Sequence, residues 1–214
     1  LNARVTYEDG KLAADEARFA VPGLATNLSL RGDVPAGTYA LAGPISFSGL
    51  RIEGAGEVNG EAKILAKFGP SIPWSLRANL AGRLSRIGNA TIVNLAGPEV
   101  RFKGALGLGA GEPIIIRDGE ITSARLAARL DSRVVPGSDG ARTTIAGRGR
   151  QAQYGPFTID AELASDGPRA VLVLADPLPA AGLTDVRIAL APAQDGFAID
   201  LAGGSLLGPF TGNI

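Results

Sequence analysis

The chain has 214 residues, with 21 Lys+Arg against 21 Asp+Glu and no His, Cys or Met. Zero formal net charge argues weakly against nucleic acid, whose binding needs an excess of basic groups. Without His and Cys the commonest general base, thiolate chemistry and Cys/His metal centres are excluded, while 45% hydrophobic content places the chain outside the disordered class.

In chain order, Leu1, Ala3, Val5 and Tyr7 alternate with Asn2, Arg4 and Thr6, which predicts a half-buried strand. Asp9-Gly10 then predicts a tight turn with positive φ. The alanine-rich stretch Lys11–Ala20 reads equally as a short helix or a strand, because alanine favours helix. Gly43-Pro44-Ile45-Ser46-Phe47 is the first copy of a phrase that reads as a turn launching an alternating strand. Asn59-Gly60 predicts another hairpin turn, and Gly69-Pro70-Ser71-Ile72 is a weaker copy of the phrase. Trp74, Leu76, Ala78 and Leu80 oppose Ser75, Arg77 and Asn79. Trp74, the only tryptophan, suits a lipid boundary and a core plug equally.

Gly97-Pro98 opens a strand in which Val100 and Phe102 oppose Glu99, Arg101 and Lys103. Gly104–Gly111 lacks the spacing of a phosphate-cradling loop and reads as a glycine-softened strand or bulge. Ile114–Arg117, Asp118-Gly119 and Glu120–Thr122 together predict a hairpin. In Ser123–Arg133, Leu126 and Leu130 stand four apart and fit a helix as well as a strand, and strand is favoured because Arg125, Arg129 and Asp131 alternate with Leu126, Ala128 and Leu130. Val135–Gly140 reads as a long turn containing Asp139-Gly140, and Thr143–Gly147 as a strand. Gly155-Pro156 launches Phe157, Ile159, Ala161 and Leu163, opposed by Thr158, Asp160 and Glu162. After Asp166-Gly167, the run Ala170–Ala175 is strand-sized, far short of the ~20 residues of a membrane span. Ala181–Val186 repeats the phrase without proline and leads into Val186, Ile188 and Leu190. Asp195-Gly196 turns into Phe197, Ile199 and Leu201, and Gly208-Pro209-Phe210-Thr211 is the last copy.

The phrase glycines stand at 43, 69, 97, 155, 182 and 208, with steps of 26, 28, 58, 27 and 26. A pitch this regular predicts stacked supersecondary units. The fold expected is all-β: an elongated, mostly antiparallel, repetitive sheet curled into an open groove, with room for one short helix. Residues 1–214 read as one continuous groove segment and a piece of a longer chain, which opens without Met and stops within a copy of the phrase.

Candidate chemistry is sparse. Asp15-Glu16, Glu53 with Glu57, and Asp160 with Glu162 are the carboxylate pairs available for glycoside cleavage, but they read first as solvated strand faces. Arg142, Arg148 and Arg150 form a basic cluster with the chemistry to meet lipid phosphates. Asn27-Leu28-Ser29 and Asn89-Ala90-Thr91 match the short glycosylation pattern. No catalytic, cofactor or metal site is expected, and the chain does not read as an enzyme. The apolar faces of the strands are the expected functional surface: Trp74, Leu76, Leu80, Val100, Phe102, Phe157, Ile159, Leu163, Val186, Ile188, Leu190, Ile199 and Leu201 as lining of a groove for hydrocarbon.

Three features carry a resemblance to a known family: the turns Leu41-Ala42-Gly43-Pro44 and Leu95-Ala96-Gly97-Pro98, the segment Arg117–Leu126, and the Gly-Pro-Phe-Thr units ending at Thr158 and Thr211. Together they resemble the AsmA-like envelope proteins of the YdbH and TamB type. The resemblance implies a β-sheet trough lined with apolar side chains, in the periplasm and anchored in the inner membrane by parts outside this segment. It implies a bridge for phospholipid between inner and outer membranes, with acyl chains as partners, membrane components met through other regions, and neither cofactor nor catalytic residue. The main alternative is a structural or adhesive β-helix or β-solenoid segment of a cell-surface protein. An outer-membrane barrel is disfavoured by the shortage of aromatic girdle residues, and a polysaccharide-active enzyme by the missing histidine.

Overall fold

A computed structural model describes residues 2–53, 55–137, 140–193 and 196–214, with the side chains of Asn2 and Ala3 outside the description. Glycine and proline cut the sequence into strands too short to fold alone, and each finds its partner in the next strand along the chain. Five strands, β1 (Asn2–Glu8), β2 (Lys11–Val21), β3 (Leu24–Asp33), β4 (Thr38–Ile52) and β5 (Gly56–Phe68), lead to β6 (Ser75–Ser85). Helix α1 (Ala90–Ala96) separates β6 from β7 (Val100–Gly109), which is followed by β8 (Ile114–Ser123), β9 (Leu126–Val135) and β10 (Arg142–Gln151). The last five are β11 (Gly155–Ala164), β12 (Gly167–Leu174), β13 (Thr184–Ala193), β14 (Gly196–Ser205) and β15 (Gly208–Asn213), with a 3₁₀ turn at Pro179–Ala181.

All fifteen strands form one sheet in chain order, and every neighbouring pair is antiparallel. β1 and β15 lie at opposite ends of that order, so the curled sheet does not close into a barrel. This is an antiparallel meander rather than the stacked parallel coils of a β-helix, the architecture of the alternative reading.

The curl has a local cause. The pairing register slips by one residue within β2, β4, β8 and β13. At those points Glu16, Gly49, Asp118 and Asp185 adopt φ of 54°, 67°, 51° and 49°. A bulge of this kind leaves one residue unpaired, bends its strand and increases the local twist.

Lys11–Ala20, open between helix and strand in the sequence, is strand throughout, because pairing to β1 and β3 outweighs alanine's helix propensity. Several expectations are corrected. Ile114–Thr122 is not a hairpin but the single strand β8, with Asp118 at its bulge. An Asp in the left-handed region followed by Gly serves a bulge as well as a turn, and two ten-residue neighbours, β7 and β9, hold the segment extended. Asn59-Gly60 likewise lies inside β5, and Gly43-Pro44 inside β4 rather than in a turn. Asp9-Gly10 and Asp166-Gly167 do stand where hairpins reverse. Leu1, Ser138, Asp139 and Asp195, with the turn readings at Asp139-Gly140 and Asp195-Gly196, lie outside the described residues.

The helix that forms stands at Ala90–Ala96, where none was expected. Its start is fixed by Asn89, whose side-chain oxygen accepts from the backbone N–H of Thr91 at 2.9 Å and of Ile92 at 3.2 Å. It ends at Gly97, whose N–H donates to the Val93 carbonyl, and Pro98 follows.

Candidate functional site

In a strand, successive side chains point to opposite faces, and residues paired across two strands share a face. The register therefore sorts the whole sheet into two surfaces. One row can be followed strand by strand. Leu12 pairs with Gly32, then Tyr39, then Phe68. Another runs Ile45, Ala62, Leu80 and Gly104. A third runs Ile116, Ser132, Ile145, Ala161, Ala170, Leu190 and Ile199. All these rows lie on one face, and they are predominantly apolar. The opposite face carries the ion pairs Lys11–Asp33, Arg31–Asp15 and Arg142–Glu162, and a triad in which Glu120 meets Lys103 at 2.8 Å and Arg129 at 3.3 Å.

Twelve of the thirteen expected lining residues stand on the apolar face. Leu76, Leu80, Val100 and Phe102 cover it on β6 and β7; Phe157, Ile159 and Leu163 on β11; Val186, Ile188 and Leu190 on β13; Ile199 and Leu201 on β14. Trp74 is the exception: it lies in the β5–β6 connection, 48% exposed, so it does not plug a core. The same face continues over β3–β5 through Leu28, Leu30, Leu41, Ile45, Val58 and Ile64. The alternation of Leu24, Thr26, Leu28 and Leu30 was the signal that could have extended the lining there.

No second layer of the described chain covers this face. On it only Ala14, Val58, Ala78, Val100 and Val186 among the described apolar residues are buried, with Ala96 buried in α1 at its margin, and no described side chain is fully enclosed. Leu163 is 55% exposed and Phe197 56%. The glycines on this face are not vacant, however. Phe47, Phe102 and Phe210 approach Gly60, Gly82 and Gly203, their cross-strand partners, so closely that a Cβ there would fall within 3 Å of the ring. Tyr39 does the same over Gly32 and stacks on Phe68 at 5.7 Å between centroids. The face is thus a continuous sheet of flattened apolar groups, open to whatever lies against it.

A depression of about 900 Å³ lies elsewhere, on the charged face, where two successive rows from β8 to β13 border it. Arg117, Arg133 and Arg169 stand there with Asp131, Asp160 and Glu162, among the apolar Ile115, Ala146, Val171, Ala189 and Ala191. The carboxylates considered for catalysis are engaged or solvated. Asp15 pairs with Arg31, Glu16 with Arg18, Glu57 with Arg86 and Glu162 with Arg142. Among the described residues no cluster of three Asp/Glu side chains forms a metal site, and no helix is long and apolar enough to cross a membrane.

One architectural residue escaped the sequence reading. Gln151, at the end of β10, is the buried polar side chain of the sheet, 7% exposed. Its amide donates to the Leu95 carbonyl at 3.2 Å and its oxygen accepts from the N–H groups of Gln153 and Tyr154. With Arg125, which donates to the Asn94 carbonyl at 2.9 Å, it pins α1 across the strand ends of β8–β10.

The class defined by these observations is an open, single-layer antiparallel β-sheet with one apolar and one charged face. No family model, curated protein or solved structure matches the chain.

Proposed function

We propose that the apolar face binds the acyl chains of phospholipids and that the sheet serves as a periplasmic, bridge-like conduit for phospholipid between inner and outer membranes. The observation that carries this reading is the continuity of one uncovered apolar face over all fifteen strands. Soluble proteins rarely leave contiguous apolar patches beyond a few hundred Å² without a partner. At about 4.8 Å between strands, the face extends roughly 65–70 Å along the sheet. Each methylene withdrawn from water is favoured by about 0.8 kcal/mol, so a hydrocarbon chain and this face shield one another. The steps along the face are chemically alike, so a chain can slide without a deep trap. Movement along it is passive, and direction is set elsewhere. The resemblance to the AsmA-like envelope proteins supports the same reading and supplies the envelope location.

The test is to purify the protein from a Gram-negative host and analyse its organic extract by mass spectrometry, with a photo-crosslinker at Ile159 or Ile188. Co-purifying phospholipid and lipid adducts at both positions are the expected results. A lipid-free protein whose crosslinks go only to protein would refute the proposal and leave an adhesive or structural surface in its place.

A further inference from the structure

The connections on one rim of the sheet place arginines and exposed apolar side chains together. This rim holds the end of β6, helix α1, the start of β7, the β8–β9 turn and the end of β10. Arg83 and Arg101 are direct cross-strand partners one or two residues from it. Arg86 lies just beyond β6, Arg125 in the β8–β9 turn, and Arg150 one residue before the end of β10. Against these five guanidinium groups the neighbouring carboxylates are Glu99, shared by Arg83 at 3.8 Å and Arg101 at 3.5 Å, and Glu57, paired with Arg86. Arg150 has no carboxylate within 4 Å among the described residues, and its cross-strand partners are Ala127 and Pro156. Like charges placed directly opposite, as at Arg83 and Arg101, destabilise a sheet unless something neutralises them.

Helix α1 stands on this same rim, held by Arg125 and Gln151, and leaves Ile92 37% and Leu95 44% exposed. Those two residues sit at i and i+3, the spacing of one helix face. Apolar side chains presented beside an excess of arginine fit an anionic lipid surface: hydrocarbon enters the acyl boundary while guanidinium groups meet phosphates.

We infer that this rim, from β6 to β10, docks on a membrane surface containing anionic phospholipid, with α1 as its apolar contact. The inference does not require lipid on the apolar face of the sheet, since the contact uses headgroup phosphates and a helix at the sheet's margin. A sheet so docked stands edge-on to the bilayer, with its strands pointing away from the lipid surface and its cross-strand apolar rows running parallel to it.

Vesicle flotation tests it, with phosphatidylcholine vesicles compared against mixed phosphatidylcholine–phosphatidylglycerol vesicles. The protein should float with the mixed vesicles only and be released by high salt. Arg101→Glu with Arg150→Glu should lower partitioning by roughly thirty-fold or more, and Ile92→Ser with Leu95→Ser should lower it at unchanged charge. Arg77→Glu with Arg133→Glu, on the same face but toward the opposite rim, alters net charge equally and should leave much of the binding. Circular dichroism of each variant reports whether the sheet is intact. Equal binding to both vesicle types, or equal loss from the rim and distal arginine pairs in folded variants, would overturn the inference. Loss of vesicle binding with lipid adducts at Ile159 retained would sink it while leaving the groove reading untouched.

Discussion

Rings laid over glycines set the thickness of the apolar face. At Gly82 a methyl group would meet the Asn59 carbonyl at 2.7 Å and the Phe102 ring at 2.8 Å. Backbone cannot yield as a flexible side chain does, so Gly82→Ala should destabilise the sheet by about 1–3 kcal/mol. Gly107, on the charged face of β7, has nothing within 4 Å of its would-be Cβ and no positive φ. Gly107→Ala should be neutral or stabilising by up to about 1 kcal/mol. Urea denaturation of the pair checks both, and equal effects would contradict the account of the rings. Charged residues give a second prediction. Hydrogen bonds from Lys11 to Asp33, from Lys103 to Glu120 and from Arg169 to Asp166 hold these carboxyls below their ordinary range. A depressed folded value means that the contribution is present above the unfolded value and is lost as pH falls through the folded one. The midpoint of thermal unfolding should therefore hold from neutral pH to about 5 and decline below about pH 4. Asp166 is exposed and Asp33 and Glu120 are half-buried at the surface, so high salt should shrink the decline, most of all the part due to Asp166.

Elements here are stabilised by neighbours rather than by a core, and α1 shows what that entails. Seven residues are too few for an isolated helix in water, so its persistence depends on Asn89 and on the pins from Arg125 and Gln151. Gln151→Ala should raise amide exchange and protease cutting across residues 86–99 while β1–β5 keep their protection. Unchanged protection of α1 would show the pin to be dispensable. How much of this was legible in the sequence depends on the range of the interaction. Strand β9 could be favoured, because Leu126, Ala128 and Leu130 alternate with Arg125, Arg129 and Asp131, although Leu126 and Leu130, four apart, fit a helix as well. The helix was half legible. Asn89 as a cap and Gly97-Pro98 as a stop are local signals, but Asn89-Ala90-Thr91 also matches a glycosylation pattern and Gly97 a recurring strand-launching phrase. Asp118-Gly119 was misleading for a physical reason: turn and bulge ask for the same backbone, and only the partners on β7 and β9 decide between them. The bond from Gln151 to Leu95 spans 56 residues, and no local pattern announces it.

Across the whole molecule, four of the six recurring glycines mark one pitch of the meander, while Gly43 lies within β4 and Gly69 follows β5 on the opposite rim, so the steps of 26 and 28 residues there do not correspond to a repeated unit. Those at 97, 155, 182 and 208 all stand at or just before the starts of β7, β11, β13 and β15, on the same rim. Their spacing is two strands and two turns, and the double step from 97 to 155 passes over β9, which Ala124-Arg125 introduces instead. Repetition of a hairpin that exposes apolar groups on one side gives a face whose length grows with each unit, and the bulges curl it without closing it. The central claim is that hydrocarbon occupies this face along its length, and a crosslinking scan tests it most directly. One photo-reactive side chain at a time would replace Ile45, Ile64, Leu106, Ile145, Ile159 or Ile199 on the apolar face, and Ser46, Lys63, Ala105, Thr144, Thr158 or Asp200 on the charged face. The account predicts phospholipid adducts at all six apolar positions, from β4 to β14, and none at their charged-face neighbours. Adducts spread equally over both faces, or absent from the apolar one, would contradict it.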